Sequence, residues 1–150
     1  MNYYSTATIA ESKGDSSDVS PRAGDQQIML GEPGVYRAAE NPYVDKSKYG
    51  WVVDPVGLRI TLRKVSERYN LPILITENGY GDKDVINDDD RIDFIRSHLE
   101  QLQLAIADGV EMLGYCPWSA IDVVSTHQGY GKRYGFIYVN RGEFDLKDLR

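Results

Sequence analysis

Apolar positions fall into two regimes along the chain, irregular before Asp54 and periodic after it. Leu58, Leu62, Val65 and Tyr69 follow one another at intervals of four, three and four, which lines them along one face of a helix while Arg59, Arg63 and Arg68 point elsewhere. Asp54-Pro55 supplies the start signal, a cap followed by a proline whose missing N–H costs nothing at the first helical position, and Leu71-Pro72 ends the helix. Ile73-Leu74-Ile75-Thr76 is then a short unbroken apolar, β-branched run, the pattern of a strand buried on both faces in a parallel sheet. Polarity and a glycine arrive together at Glu77-Asn78-Gly79 and stop it.

Ile92, Ile95, Leu99, Leu102 and Ile106 repeat the helical period and predict a second helix. Asp88-Asp89-Asp90 opens it, because carboxylates sit well against a helix N-terminus and one of them caps it; Gly109 stops it. Val110 to Cys116 reads as the next strand, closed by Pro117-Trp118, and Asn2–Ser5 as a strand ahead of everything else. Between Glu11 and Gln27 the only large aliphatic residue is Val19, too little to offset the entropy of ordering, and 31–50 adds Gly, Pro and Tyr without a period. Residues 10–50 therefore read as mostly loop.

Strand, helix, strand, helix, strand is the alternation of parallel βαβ units, so the fold class is α/β. An open doubly wound sheet and an arc of an eight-fold barrel both fit. A whole barrel usually needs about 250 residues, and 150 would supply only part of one.

Composition narrows the function. The net charge of −6 argues against a general phosphate-backbone binder, so no nucleic-acid partner is expected. No run approaches the roughly 18 apolar residues of a membrane span, and the polar start Asn2–Ser5 is not a signal peptide. The single Cys116 cannot form an internal disulfide, which fits a reducing, cytoplasmic setting. No second His or Cys stands at metal-ligand spacing, and neither a metal nor a cofactor is expected. His98 falls on the polar side of the second helix and reads as inert.

In parallel α/β folds, reactive groups gather at the carboxyl ends of strands, and Glu77 and Trp118 stand at such ends. On position alone Glu77 is compatible with a nucleophile, a general base, a metal ligand or an arginine's partner. The surrounding residues say more. Ile75-Thr76-Glu77-Asn78-Gly79 resembles the I-T/V-E-N-G signature of glycoside hydrolase family 1, the retaining β-glycosidases built on a (β/α)8 TIM barrel. Asn2-Tyr3-Tyr4 is similar to the family's N-Y-Y segment, Trp118-Ser119-Ala120-Ile121-Asp122 to its W-S-L-L-D segment, and Asp54-Pro55-x-Gly57-Leu58-Arg59 is a further family-like stretch, all in the family's order. The resemblance implies a C-terminal portion of that barrel, about strands 6 to 8, with Glu77 as nucleophile, Tyr4 touching it, Asn2 beside the sugar and Trp118 as a platform beneath it.

Family members acting on unphosphorylated sugars carry Glu-Trp where this chain has Ser125-Thr126, whereas the 6-phospho-β-glycosidases have a serine, then a lysine seven positions on and a tyrosine nine positions on. Here those positions hold Lys132 and Tyr134. A hydroxyl, an ammonium and a phenol suit a phosphate dianion: one point charge plus two directional donors. Galacto-preferring members tend to place Trp at the position of Thr126, so the resemblance implies a 6-phospho-β-glucoside as substrate. His127 falls inside the same loop.

The family's acid/base residue lies in an Asn-Glu-Pro motif far upstream of the nucleophile. Glu32-Pro33 follows a glycine and lies too close to Glu77 to be that motif, so the isolated chain is expected to lack turnover. Two function classes follow: part of a retaining 6-phospho-β-glucosidase, or a non-catalytic remnant that binds phosphosugar. Strands without neighbours at their edges invite self-association in either case.

Overall fold

The computed structural model describes residues 1–22, 25–83, 87–126, 128–141 and 147–149, so His127 lies outside the described residues. Two compact units emerge, one made of Ser5–Asp54 and the other of Met1–Tyr4 with Pro55–Arg150.

In the second of these, α1 (Pro55–Tyr69) starts at the expected proline and buries Leu58 and Leu62 completely, with Val65 partly covered. Each such leucine contributes roughly 1.5–3 kcal/mol relative to exposure. Tyr69, assigned to the same stripe, is 59% exposed, because the helix leaves the sheet in its last turn. The next element is a strand of ILITEN, and across a helical crossover MLGYCP runs parallel to it, with Ile75 opposite Tyr115. Residues 1–4 lie along the first strand's other edge: Tyr3 N donates to Glu77 O at 2.9 Å, Thr76 N donates to Met1 O at 2.9 Å, and Asn2 bridges Glu77 in parallel. Three parallel rows result, as the βαβ reading requires.

The crossover helix α2 (Asp89–Ala107) has the predicted extent but not the predicted face. Arg91, Phe94, His98, Leu102 and Ala105 are buried, while Ile92, Leu99 and Ile106 of the apolar stripe are exposed. The helix is turned by about one residue because its inward line includes an arginine and a histidine, which an apolar count cannot register. His98 is thus corrected from the polar side to the core. It is fully buried, its ring centroid is 3.9 Å from that of Phe94 and 6.0 Å from that of Tyr3, and Nδ1 is 2.7 Å from Phe94 O. Asp88 stands at the N-cap position without a side-chain cap bond, since its carboxylate pairs with Arg91 at 2.9 Å. At the other end Asp108 takes both arms of Arg59, at 2.8 and 2.9 Å, tying the two helices together.

Tyr3, Leu58, Leu62, Ile73, Ile75, Leu102, Ala105 and Val110 form the core between sheet and helices. The opposite sheet face is open: Leu74 is 38% exposed and Leu113 68%. This corrects the expectation of burial on both faces, because the two helices of this unit cover only one.

Residues 10–50 are expected to be mostly loop; the remaining unit, Ser5–Asp54, carries paired short strands within and around that stretch. With the strands of both units numbered along the chain, β1 (Thr8–Glu11) pairs with β4 (Tyr36–Ala39), β2 (Ser20–Arg22) with β3 (Asp25–Leu30), and β5 (Asp45–Lys46) with β6 (Val52–Val53), all antiparallel. The strands described above are β7 (Ile73–Asn78) and β8 (Met112–Pro117), and β9 (Val139–Arg141) pairs with β10 (Lys147–Leu149). Hydrogen bonding supplies the order that hydrophobic content lacks. The fully buried Asp18 accepts from Lys13 N at 2.7 Å, Ser12 Oγ at 2.5 Å and Gly14 N at 3.0 Å, and these bonds hold its carboxyl below the usual range.

Candidate active site

Glu77 sits at the last turnings of β7, where the register with β8 shifts between Ile75 and Asn78. Such an irregularity re-aims a side chain at a strand end. Its Oε2 accepts the Tyr4 hydroxyl at 2.9 Å, a bond that joins residues 73 apart in sequence. Burial first, then the bond to Glu77 and the charge of that carboxylate, push the Tyr4 phenol well above the ordinary tyrosine range; Tyr134 adds to the effect. Tyr4 therefore stays protonated and remains a donor to the carboxylate. Asn2 stands beside Glu77 in the adjacent row, and its Oδ1 accepts the Thr76 hydroxyl.

Asn78 is the next residue on β7 and is completely buried. Its Nδ2 donates to Tyr3 O at 2.7 Å and its Oδ1 accepts the Tyr115 hydroxyl at 2.6 Å, so one amide stitches all three rows just beneath Glu77. Burial raises the Tyr115 phenol to about 12, which keeps it a donor as well.

Trp118 follows β8 directly. Its N–H donates to Asn78 O at 2.7 Å, the Trp118–Ser119 peptide is cis, and the indole is 37% exposed. Gly79 is obligatory beside it, since a Cβ there would run into the Trp118 carbonyl. The tryptophan is thus seated next to the strand end that carries Glu77, with part of its ring surface uncovered.

Lys132 and Tyr134 reach the same region through a loop-to-loop pairing. Asp82 and Arg133 exchange both backbone hydrogen bonds at 2.8 Å, an antiparallel bridge that lays 132–134 along the segment leaving β7. Lys132 is buried, and its Nζ is 5.4 Å from the Tyr134 ring centroid. Both side chains press on Gly81: a Cβ there would overlap Lys132 Cε and lie 3.0 Å from Tyr134 Cε1. The structure therefore brings together Asn2, Tyr4, Glu77, Trp118, Lys132 and Tyr134 around the ends of three parallel rows. Ser125 is buried at the base of the 125–129 turn, where its Oγ accepts from Gln128 N at 3.1 Å; that bond is local to the turn.

Sequence reasoning assigned no role to the residues that hold this arrangement. Asp122, the last residue of the W-S-A-I-D run, pairs with Arg133 at 2.7 Å and accepts from Gly135 N at 3.0 Å and Val139 N at 3.1 Å. Burial opposes its charge, but the guanidinium and the two N–H groups outweigh it and hold the carboxyl below the usual carboxylate range. Arg91 reaches in from α2 and donates to the carbonyls of Gly135 and Arg133.

The chain is similar to known proteins along nearly its whole length. Glycosyl hydrolase family 1 matches residues 1–149. Aryl-phospho-beta-D-glucosidase BglC of Bacillus subtilis (strain 168) is 45% identical over 161 residues, covering 100% of this chain and 33% of that protein. 6-Phospho-beta-glucosidase AscB of Escherichia coli (strain K12) is 44% identical over 116 residues, 73% of this chain and 24% of its own length. Among solved structures, the psychrophilic beta-glucosidase BglU from Micrococcus antarcticus superposes with a TM-score of 0.78 at 27% identity, over 99% of this chain and 34% of that one. The chain spans between about a quarter and a third of the length of these relatives.

Proposed function

The chain belongs to glycosyl hydrolase family 1, its α/β fold is a part of that family's (β/α)8 barrel, and we propose that it carries the nucleophile and the phosphate-recognition loop of a retaining 6-phospho-β-glucosidase. In this reading Glu77 attacks the anomeric carbon and expels the aglycone, forming a glycosyl-enzyme ester that water then hydrolyses. The Tyr4 hydroxyl, bonded to Oε2, steers the carboxylate and leaves its other oxygen to the sugar. Trp118 offers its uncovered ring face to the pyranose. Lys132 meets the 6-phosphate as a point charge, and Tyr134 and Ser125 add directional donors. Retention requires a second carboxylic acid about 5–5.5 Å from the first; in the family it belongs to an Asn-Glu-Pro motif, a sequence this chain does not contain. The 150 residues alone are accordingly proposed to bind phosphosugar without turnover.

The observation that carries this reading is the gathering of Glu77, Tyr4, Lys132 and Tyr134 by the Tyr4–Glu77 bond and the shared packing on Gly81. The test is a titration of the chain with glucose 6-phosphate and with glucose, followed by amide chemical shifts. Saturable shifts at 81–82 and 132–134 with the phosphate ester, and none with glucose at the same concentration, are expected. Lys132→Ala removes a charge-assisted bond worth about 1.5–3 kcal/mol, about tenfold or more in affinity. No response to the phosphate ester, or an equal response to glucose, would overturn the assignment.

A second reading is a purely binding remnant. Joined to the N-terminal two-thirds of a relative, a true nucleophile traps a fluorinated 6-phosphoglucosyl inactivator on Glu77; a binding remnant takes up no label.

A further inference from the structure

Lys132 and Tyr134 are two residues apart in extended backbone, so they share a side and Arg133 takes the opposite one. What Arg133 does on that far side therefore fixes where the other two point. Its Nη1 donates to Asp122 Oδ2 and to Val139 O, both at 2.7 Å, and the guanidinium lies 4.4 Å over the Tyr138 ring. Both partners of the ion pair are buried. The other Asp122 oxygen accepts from Gly135 N at 3.0 Å, and Gly135 presses so closely on the Asp122 backbone that a Cβ could not be accommodated. One carboxylate thus grips the segment at positions 133 and 135, immediately behind Lys132 and Tyr134.

We propose that Asp122 is a positioning residue for the phosphate site: through Arg133 and Gly135 it sets the rotation of the 132–134 backbone, and so holds Lys132 and Tyr134 side by side. The inference rests on the phosphate-binding reading of Lys132. Its physical basis is that a buried guanidinium deprived of its carboxylate carries a cost greater than the bond to Val139 O and the stacking on Tyr138 offset. Arg133 would turn outward to solvent, and in extended backbone that turn carries its two neighbours the other way. A merely structural residue weakens the fold as a whole; a positioning residue acts on ligand binding through Lys132.

A double-mutant cycle on the 150-residue chain separates the two. Glucose 6-phosphate affinity is measured by amide-shift titration for the wild type, Asp122→Asn, Lys132→Ala and the double variant, with thermal melts alongside. Asp122→Asn is expected to lose about tenfold in affinity, and the double variant to lose clearly less than the product of the two single losses, because only the part carried by Tyr134 survives without the lysine. Arg133→Lys keeps a positive charge facing Asp122 but removes the planar guanidinium that lies over Tyr138, which preserves the test should Asp122→Asn fail to fold. It is expected to lose a smaller factor that likewise shrinks in the Lys132→Ala background. If folded wild type ignores glucose 6-phosphate, the phosphate reading itself falls and this inference with it. If wild type binds and losses at Asp122 or Arg133 multiply with that at Lys132, or stay within twofold of wild type, the positioning role is overturned and the phosphate reading stands.

Discussion

Gly81→Ala is the change that should hurt ligand binding while sparing the fold. Gly81 lies outside the left-handed backbone region, so alanine suits it, and the substitution lowers the entropy of the unfolded chain by the equivalent of about 0.4–1 kcal/mol. Against that gain stands the new methyl group, which overlaps Lys132 Cε and comes within 3.0 Å of Lys132 Cγ and Tyr134 Cε1, where ordinary contacts begin at 3.4 Å. The obstacle is the far end of a long, flexible stem, so the lysine can retreat by about an ångström at little cost. Its ammonium then leaves the position it shares with Tyr134. A charge-assisted bond worth about 1.5–3 kcal/mol is forfeited, roughly a ten- to 150-fold loss of glucose 6-phosphate affinity. The melting temperature should stay within a few degrees of wild type, since a net change under about 1 kcal/mol moves that of a chain this long by only about 2–4 °C. Gly79→Ala is the contrast: its Cβ meets the Trp118 carbonyl, backbone with no rotamer to retreat into, and overpacking of this kind costs about 3 kcal/mol. Calorimetric titration and thermal melts of the two variants decide the matter. Wild-type affinity in Gly81→Ala would show that Lys132 does not meet the phosphate, and equal destabilisation by the two alanines would refute the packing argument.

Three further outcomes are expected. The Asp122 carboxyl is held low in the folded state, so its contribution is complete above the unfolded value of about 3.9 and is lost as pH falls through the depressed folded value; the stability gap between wild type and Asp122→Asn, read by urea melts, should narrow steadily below about pH 4. The Tyr4 phenol is shifted the opposite way, so its contribution is complete below about pH 10 and is lost as pH rises further; in an alkaline ultraviolet titration Tyr4→Phe should show one fewer phenol that ionises only on unfolding, and an unchanged count would contradict the Tyr4–Glu77 bond. The open sheet face around Leu113 should drive self-association, visible as a mass rising with concentration in sedimentation, and Leu113→Glu should return the chain to monomer; a wild type that stays monomeric at high concentration would rule this out.

Helical periodicity located α1 and α2, an unbroken apolar run located β7 and the segment after Gly109 located β8, and Tyr4 bonds to Glu77 across the sheet. What escaped was whatever depends on charge buried in company. The inward line of α2 includes Arg91 and His98, so a count of apolar side chains selected Ile92, Leu99 and Ile106, one position round the helix. The loop partners Asp122 and Arg133 are eleven residues apart with no regular element between them, and no spacing rule anticipates their bond. Order in 10–50 was missed for the same reason: Asp18 organises its neighbours through hydrogen bonds, which leave no trace in hydropathy. Exposure of Leu74 was missed because a strand's sequence records the cover it is adapted to, and the helices of this chain supply only one side of it.

The contacts that steady Glu77 and the 132–135 segment come from residues 1–4 and from beyond Pro55, with the whole of 5–54 spliced between two adjoining parts of one unit. Changes of sequence or length within 5–54 therefore leave the Tyr4–Glu77 and Asp122–Gly135 bonds in place, because neither begins or ends in that stretch.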